Sequence, residues 1–128
     1  MQNLNFEGHF DAASAKVDIT VGLLQFEEDG NTIIYSPSFD LSGYGKNPVE
    51  AKKSFEITVA EFFRYTLNKK TLTKELNRLG WNIKETDVKN RKFKTPGLAE
   101  LITKNDYLQE ILNEKEFTKF DQTIAMPC

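Results

Sequence analysis

The chain has 128 residues, a length typical of one domain that buries a full hydrophobic core. Hydrophobic residues make up 39% of the chain and aromatic residues 12%, a composition that excludes intrinsic disorder. Seventeen basic and nineteen acidic residues give a net charge of −2, which excludes a polybasic nucleic-acid coat and a strongly acidic tail.

The first fifteen residues are polar, and we expect them to form a flexible lead-in that contains the single histidine, His9. The single cysteine, Cys128, is the last residue, so no intramolecular disulfide and no cluster of thiolates is expected. We expect no metal and no cofactor. The N-terminus lacks the basic and apolar regions of a signal peptide, and no apolar run is long enough for a membrane helix. These features predict a cytoplasmic protein that does not enter a membrane.

Charge is distributed unevenly along the chain. Residues 1–45 contain one base and seven acids, a net charge of −6, and residues 46–95 contain thirteen bases and six acids, a net charge of +7. Residues 96–128 contain three bases and six acids, a net charge of −3. Such asymmetry is typical of opposed binding faces, but it also arises when neighbouring elements are solvated by different charges.

Residues 16–45 predict a meander of three strands. From Lys16 to Phe26 apolar and polar residues alternate with the period of two of a half-buried strand. The run from Glu27 to Asn31 supplies a turn in which Gly30 and Asn31 are free to take positive φ, and a β-branched and aromatic run follows. The third strand, residues 41–45, contains two glycines, which predict a bulge or a close backbone approach.

A long helix is predicted after the meander. Asn47 can cap it, Pro48 fits its first position, and Glu50 completes the spacing of a capping box. Apolar residues then recur at spacings near 3.6, so one face of this helix should lie on the sheet. These positions are Ala51, Phe55, Val59, Phe62 and Leu67.

The rest of the chain predicts shorter elements. A second helix, 71–79, ends at Gly80, and residues 81–83 predict a fourth strand, which gives the order β-β-β-α-β. Residues 84–94 are polar and carry five bases, and two short helices are expected after Pro96. Residues 117–126 have strand character, although the spacing of Phe117 and Phe120 also suits a helical turn. They predict either a cover for the sheet edge within the chain or a strand shared in a homodimer, and this segment should help to bury Leu108, Ile111 and Leu112.

The sequence contains only weak matches to motifs for phosphate binding or catalysis. Gly43 and Gly45 supply only a GxG fragment of a phosphate-binding loop, and the acids at 27–29 are typical of a solvated turn. No catalytic set of residues is predicted. A basic group at the end of the helical region can contact phosphates without sequence specificity. Its members are Lys69, Lys70, Lys74 and Arg78.

The stretch from Ile34 to Gly45, followed by Asn47-Pro48-Val49-Glu50-Ala51 and the apolar helix, resembles the HicB-like antitoxin family. The shared pattern is a tyrosine strand, a proline, a Leu-x-Gly step, a polar capping residue and Glu-Ala opening a helix. The resemblance covers about residues 17–84. It implies an α+β fold with a HicB-like, partly RNase H-like sheet and one long helix packed on it.

The resemblance also implies a function: binding and neutralising a small, basic, HicA-like mRNA-cleaving toxin without catalysis, often as a homodimer. The residues assigned to partner binding are Tyr35, Ser36, Phe39, Asp40 and Tyr44. Residues 85–128 do not supply the DNA-binding domain that many members append, and we expect them to form an extension packed on the same domain as the 16–84 core. The alternative is a nucleic-acid-associated protein that uses the basic middle region and has no enzymatic activity.

Overall fold

The structure is a computed structural model and describes residues 16–85 and 91–127. The predicted lead-in with His9, and Cys128, lie outside these residues. The described residues form ten helices and strands. They are β1 Lys16–Glu28, β2 Asn31–Ser36, β3 Leu41–Gly45, α1 Pro48–Lys69, α2 Leu72–Arg78, β4 Asn82–Glu85, β5 Arg91–Lys94, α3 Leu98–Lys104, α4 Asp106–Glu114 and β6 Phe117–Pro127.

A four-stranded antiparallel sheet in the order β3-β2-β1-β6 forms the centre of the molecule. This confirms the α+β class and the three-stranded meander. The fourth strand predicted at residues 81–83 is present as β4, but it pairs with β5 in a separate two-stranded sheet and does not join the main sheet. The strand that completes the main sheet is β6, which pairs with β1 along eleven residues. No strand was predicted for β5, because its residues 91–94 are mostly basic.

The β1–β2 turn is shorter than the predicted run 27–31, because Glu27, Glu28 and Asn31 all belong to the strands. Asp29 and Gly30 have φ of 52° and 82°, and Glu28 pairs with Asn31, so the loop is a two-residue turn of type I′. Asn31 is therefore the first residue of β2 and not part of the turn. The Asp-Gly sequence suits this turn because both central residues need positive φ.

One face of the sheet is covered by α1. The residues buried along α1 are Ala51, Phe55, Val59, Ala60, Phe63 and Thr66, so Phe63 rather than Phe62 completes the predicted apolar stripe. They pack on Ile19, Val21 and Leu23 of β1 and on Ile124 of β6. The two glycines of β3 allow α1 to lie this close, since a Cβ on Gly43 would be 2.2 Å from the backbone nitrogen of Phe55. The predicted close approach is confirmed.

The opposite face of the sheet is covered in part by α3 and α4. Leu108 and Ile111 of α4 are fully buried against Leu24, Phe26 and Tyr35. The sequence predicted that the apolar side chains of this helix would be covered by the last strand. Leu108 and Ile111 are covered by the sheet, and β6 pairs with β1, which confirms the predicted cover of the sheet edge within the chain.

Candidate partner-binding surface

A hydrogen-bonded chain connects the sheet to the start of α4. The hydroxyl of Tyr35 donates to Oδ1 of Asp40 at 2.7 Å, and Nδ2 of Asn105 donates to the same hydroxyl at 2.7 Å. Asn105 also caps α4, because its Oδ1 accepts the N–H of Leu108 at 2.9 Å. Burial raises the pKa of Tyr35, so its phenol remains a neutral donor at physiological pH. Asp40 is therefore held in position from beneath by a buried donor.

Asp40 itself is exposed and has φ of 55°, a conformation that is uncommon outside glycine and asparagine. It lies at the end of the turn between β2 and β3. The turn is fixed by two further contacts: the Phe39 N–H donates to the Ser36 hydroxyl at 3.3 Å, and the indole N–H of Trp81 donates to the Ser38 carbonyl at 2.8 Å. The exposed carboxylate of Asp40 is therefore carried by a turn that hydrogen bonds hold in place.

A cleft of 260 Å³ opens beside Asp40. Its charged lining consists of Asp40, Arg78, Glu100, Lys104 and Asp106. The two bases already have partners on their own helices: Arg78 contacts Glu75 at 2.9 Å and Lys104 contacts Glu100 at 3.3 Å. Asp40 and Asp106 have no cationic partner among residues 16–85 and 91–127. The cleft therefore offers two unneutralised carboxylates.

The exposed side of α4 continues this negative charge. Asp106, Glu110 and Glu114 recur every four residues and are all exposed, so they lie along one side of the helix. Glu28 adds a carboxylate from the β1–β2 hairpin and contacts Lys115 at 3.5 Å. We call Glu28, Asp40, Asp106, Glu110 and Glu114 together the acidic face.

An aromatic ring lies within the acidic face. Tyr107 packs edge-on against Tyr35, with ring centroids 4.9 Å apart, and stays 37% exposed. Burial raises the pKa of Tyr107, and the carboxylates of Glu28 and Glu110 raise it further. A partly exposed tyrosine with two carboxylates close by is the kind of aromatic anchor that protein interfaces favour.

A second cavity of 510 Å³ lies between the sheet and α3–α4. Its lining is mainly aliphatic and includes Leu24, Leu98, Leu108 and Leu112. Such a lining suits apolar surface rather than a charged group. The acidic face and its cleft are therefore the better match to a charged partner.

Of the residues predicted to bind a partner, the structure brings only Asp40 to this surface. Tyr35, Ser36 and Phe39 are buried, with Phe39 stacked on Trp81 at 5.1 Å, so they support the turn rather than face solvent. Tyr44 is 68% exposed and pairs with Ile33 of β2, so its side chain lies on the same face of the sheet as α4, but it carries no charge and is not part of the acidic face. Their role in partner binding stays a prediction, and for the three buried residues it can only be indirect.

The residues of the acidic face that belong to α4 were not singled out from the sequence. The available signal was the net charge of −3 over residues 96–128, which becomes a surface only when the acids fall on one side of a helix. That α4 lies beside Glu28 and Asp40 depends on long-range packing against Tyr35. Sequence spacing carries no information on that contact.

The four basic candidates are all exposed. Lys69 and Lys70 end α1, and Lys74 and Arg78 are one turn apart on α2. Lys70 caps α1 in the left-handed conformation, with φ of 57°. Arg78 also lines the cleft and is bound to Glu75, which leaves three lysines of this group without an acidic partner among the described residues.

Within residues 16–85 and 91–127, no three His, Cys, Asp or Glu side chains come together in a way that would hold a metal ion. In the same part of the chain, no helix combines the length and the apolar character needed to cross a membrane. Searches against family models, curated proteins and solved structures found no match to this chain.

Proposed function

We propose that this chain is a non-catalytic protein-interaction module that binds a small basic protein through its acidic face. The observation that carries the proposal is the set of carboxylates around Tyr107, of which only Glu28 has a cationic partner in the described part of the chain. Unneutralised carboxylates on a rigid surface attract a basic partner and speed its association.

The helices on the two faces of the sheet differ in net charge, which favours binding of a basic partner to one face only. Residues 48–78, which form α1 and α2, contain seven bases and four acids, a net charge of +3. Residues 98–114, which form α3 and α4, contain one base and four acids, a net charge of −3. Because these helices cover opposite faces of the sheet, a basic protein is attracted to one side of the molecule and repelled from the other.

The finer proposal is that the partner is a HicA-like toxin and that binding neutralises it. Its support is the resemblance of residues 17–84 to HicB-like antitoxins together with the acidic face, which fits a small basic protein. The placement of β4 outside the main sheet gives this finer proposal no support. The test below therefore separates binding of a basic protein from antitoxin activity.

The experiment titrates the purified chain with a small basic HicA-like protein as the probe and measures the dissociation constant by titration calorimetry. The variant Glu110→Gln/Glu114→Gln removes two charges from the acidic face. The matched control, Glu56→Gln/Glu61→Gln, removes two charges from α1, on the other face of the sheet. We expect the first variant to weaken binding by about tenfold and the control to leave it unchanged.

Salt provides a second measurement, because an electrostatically steered association slows as ionic strength rises. Failure of a basic protein to bind, or equal losses in both variants, would contradict the proposal. Antitoxin activity is scored separately as rescue of growth when the basic protein is expressed with and without this chain. Binding without rescue would leave an interaction module that is not an antitoxin.

Nucleic-acid binding is the alternative outcome. If fluorescence anisotropy shows that RNA or DNA binds and that Lys69→Gln/Lys74→Gln abolishes binding, the basic group rather than the acidic face is the functional surface. The non-catalytic part of the proposal is tested with Mg²⁺ or Mn²⁺ and RNA. Metal-dependent cleavage that disappears in Asp40→Asn would overturn it.

A further inference from the structure

The outer edge of the sheet at β6 is long and unpaired. β6 runs over eleven residues and pairs with β1 on one side only, and no other strand among residues 16–85 and 91–127 pairs with its other side. Such an edge exposes a row of backbone N–H and C=O groups, which is a template for another strand. Strands at sheet edges are usually short or covered for this reason.

The β1–β2 turn shows which backbone groups face outward. In a two-residue type I′ turn the flanking residues, here Glu28 and Asn31, form a hydrogen-bonded pair. Hydrogen-bonding direction alternates along a strand, so even-numbered residues of β1 bond to β2 and odd-numbered residues bond to β6. Through the register of β1 with β6, the even-numbered residues of β6 bond inward. The free edge is then formed by Phe117, Lys119, Asp121 and Thr123.

Two opposite charges stand side by side on this edge. The side chains of Lys119 and Asp121 are 59% and 61% exposed and contact each other at 3.3 Å. They lie on the sheet face opposite α1, because they pair with Leu24 and Gly22 of β1 rather than with the residues that contact that helix. An added antiparallel strand can place an acid opposite Lys119 and a base opposite Asp121, so that each charge faces an opposite charge.

We propose that the occupant of this edge is a second copy of the chain, with β6 paired antiparallel to β6 about a two-fold axis at Phe120. In this register Lys119 lies opposite Asp121 of the second copy, and Asp121 lies opposite its Lys119. Each of these positions belongs to the outward-facing set, so both pairs form backbone hydrogen bonds. The result is a continuous eight-stranded sheet, a closed arrangement of the commonest symmetry.

Other registers are less favourable. Moving the axis to residue 119 or residue 121 places two lysines or two aspartates directly opposite each other, which is destabilising. Moving it to Gln122 sets Lys119 opposite Ala125 and Asp121 opposite Thr123, so neither charge has an opposite charge across the pair. The charge order therefore selects the axis at Phe120.

The α1 side of the edge supports the same register. Phe120 is partly buried against the core and meets Phe120 of the second copy across the axis. The side-chain amide of Gln122 is buried and has no hydrogen-bond partner in the part of the chain that the structure describes. In this register Thr118 of the second copy lies opposite Gln122 and brings a hydroxyl to that side of the sheet.

The test uses charge exchange in the full-length chain, with mass measured by light scattering at about 100 μM, above the affinity of a modest interface. Lys119→Glu gives two acids on the edge, and Asp121→Lys gives two bases. We expect wild type to be dimeric and each variant to dimerise about tenfold more weakly, since two attractive pairs become repulsive. A 1:1 mixture of the two variants restores both pairs, so we expect it to form a heterodimer.

The register is tested independently by oxidation of single-cysteine variants made in a Cys128→Ser background. Phe120→Cys places two thiols opposite each other at a pair without backbone hydrogen bonds, where the Cα atoms are close enough for a disulfide. Gln122→Cys is the matched control and should not crosslink. Circular dichroism verifies that each variant is folded.

Three outcomes overturn the proposal. The first is a wild-type monomer at the stated concentration. The second is a dimer whose dissociation constant, measured over a concentration series, is the same in both charge variants as in wild type, or is not restored by mixing them, which places the interface elsewhere. The third is crosslinking through position 122 but not position 120, which shows a different register.

Discussion

Asn105 donates a hydrogen bond of 2.7 Å to the hydroxyl of Tyr35, seventy residues earlier in the chain. The same asparagine caps α4 by accepting the N–H of Leu108. A buried phenol in the second strand therefore fixes the first turn of the helix that carries most of the acidic face. Asp40, the other neighbour of that phenol, lies on the same face, so one hydroxyl aligns carboxylates from two distant parts of the sequence.

We predict that Tyr35→Phe lowers stability at neutral pH but flattens the stability profile in alkali. Without the hydroxyl, Asn105 and Asp40 each lose a hydrogen-bond partner, which lowers the free energy of unfolding by about 1–2 kcal/mol. In wild type, burial raises the pKa of Tyr35 above its usual value of about 10. The unfolded chain therefore loses this proton first, so the phenol's contribution is complete below pH 10 and falls as pH rises above that value.

The measurement is urea unfolding of wild type and Tyr35→Phe from pH 8 to pH 11. Above pH 10 wild type should lose up to about 1.4 kcal/mol per pH unit more than the variant. Tyr107, whose pKa is also raised, is present in both proteins and cancels in the comparison. Tyr44→Phe, which removes an exposed hydroxyl, is the matched control. Parallel profiles for wild type and Tyr35→Phe would show that this phenol does not carry the effect.

Local signals in the sequence predicted local structure well. Alternation found β1, and Asn47-Pro48 with Glu50 located the start of α1 to the residue. Partner choice between strands was not predictable, because residues 82–85 and 117–127 both have strand character and only long-range packing decides which joins β1. The acidic face is predictable only in part for the same reason, since Glu28 and Glu110 meet through Tyr107.

We predict that Asn47→Ala lowers the free energy of unfolding by about 1 kcal/mol. The Oδ1 atom of Asn47 accepts the N–H of Glu50 at 2.9 Å, and Ala cannot replace that acceptor. The return bond expected of a capping box goes instead to Lys46, whose N–H donates to Glu50 at 3.0 Å. This bond remains in the variant, which limits the loss. Asn68→Ala, at an exposed position in the last turn of α1, is the control, and an unchanged denaturant midpoint for Asn47→Ala would contradict the prediction.

Gly43→Ala should be among the most damaging single substitutions, with a loss of about 3 kcal/mol or more. The added Cβ would lie 2.2 Å from the nitrogen and 2.5 Å from the Cα of Phe55, so backbone atoms of α1 would have to move. Gly97→Ala is the matched control, because no atom lies within 4 Å of its Cβ position and we expect a change within about 0.5 kcal/mol. Equal thermal midpoints for the two variants would show that α1 can shift at little cost.

Lys70→Gly should raise stability by about 1 kcal/mol. Lys70 ends α1 with φ of 57°, and its N–H donates to the carbonyl of Leu67 at 3.1 Å. Glycine reaches this left-handed conformation without the steric cost that a Cβ brings, and the hydrogen bond is retained. Lys69→Gly removes the same charge from a helical position and should lower stability by about 0.5–1 kcal/mol. Opposite signs for the two variants in urea unfolding are the expected result.

A chain that ends at Asn113 should lose cooperative unfolding altogether. The truncation removes β6, which pairs with β1 over eleven residues and places the fully buried Ile124 in the core beneath α1. Ile124→Ala alone should cost about 2–5 kcal/mol, a large part of the stability of a domain of this size. Thr123→Ala, which changes the neighbouring exposed side chain, should cost far less because it opens no cavity. Thermal melts followed by circular dichroism give the order of the three changes: the truncated chain shows no transition, Ile124→Ala melts at a lower temperature, and Thr123→Ala melts near wild type. A truncated chain that melts as wild type does would show that β1 is a stable edge strand by itself, and the pairing with β6 would then have no role in holding the sheet together.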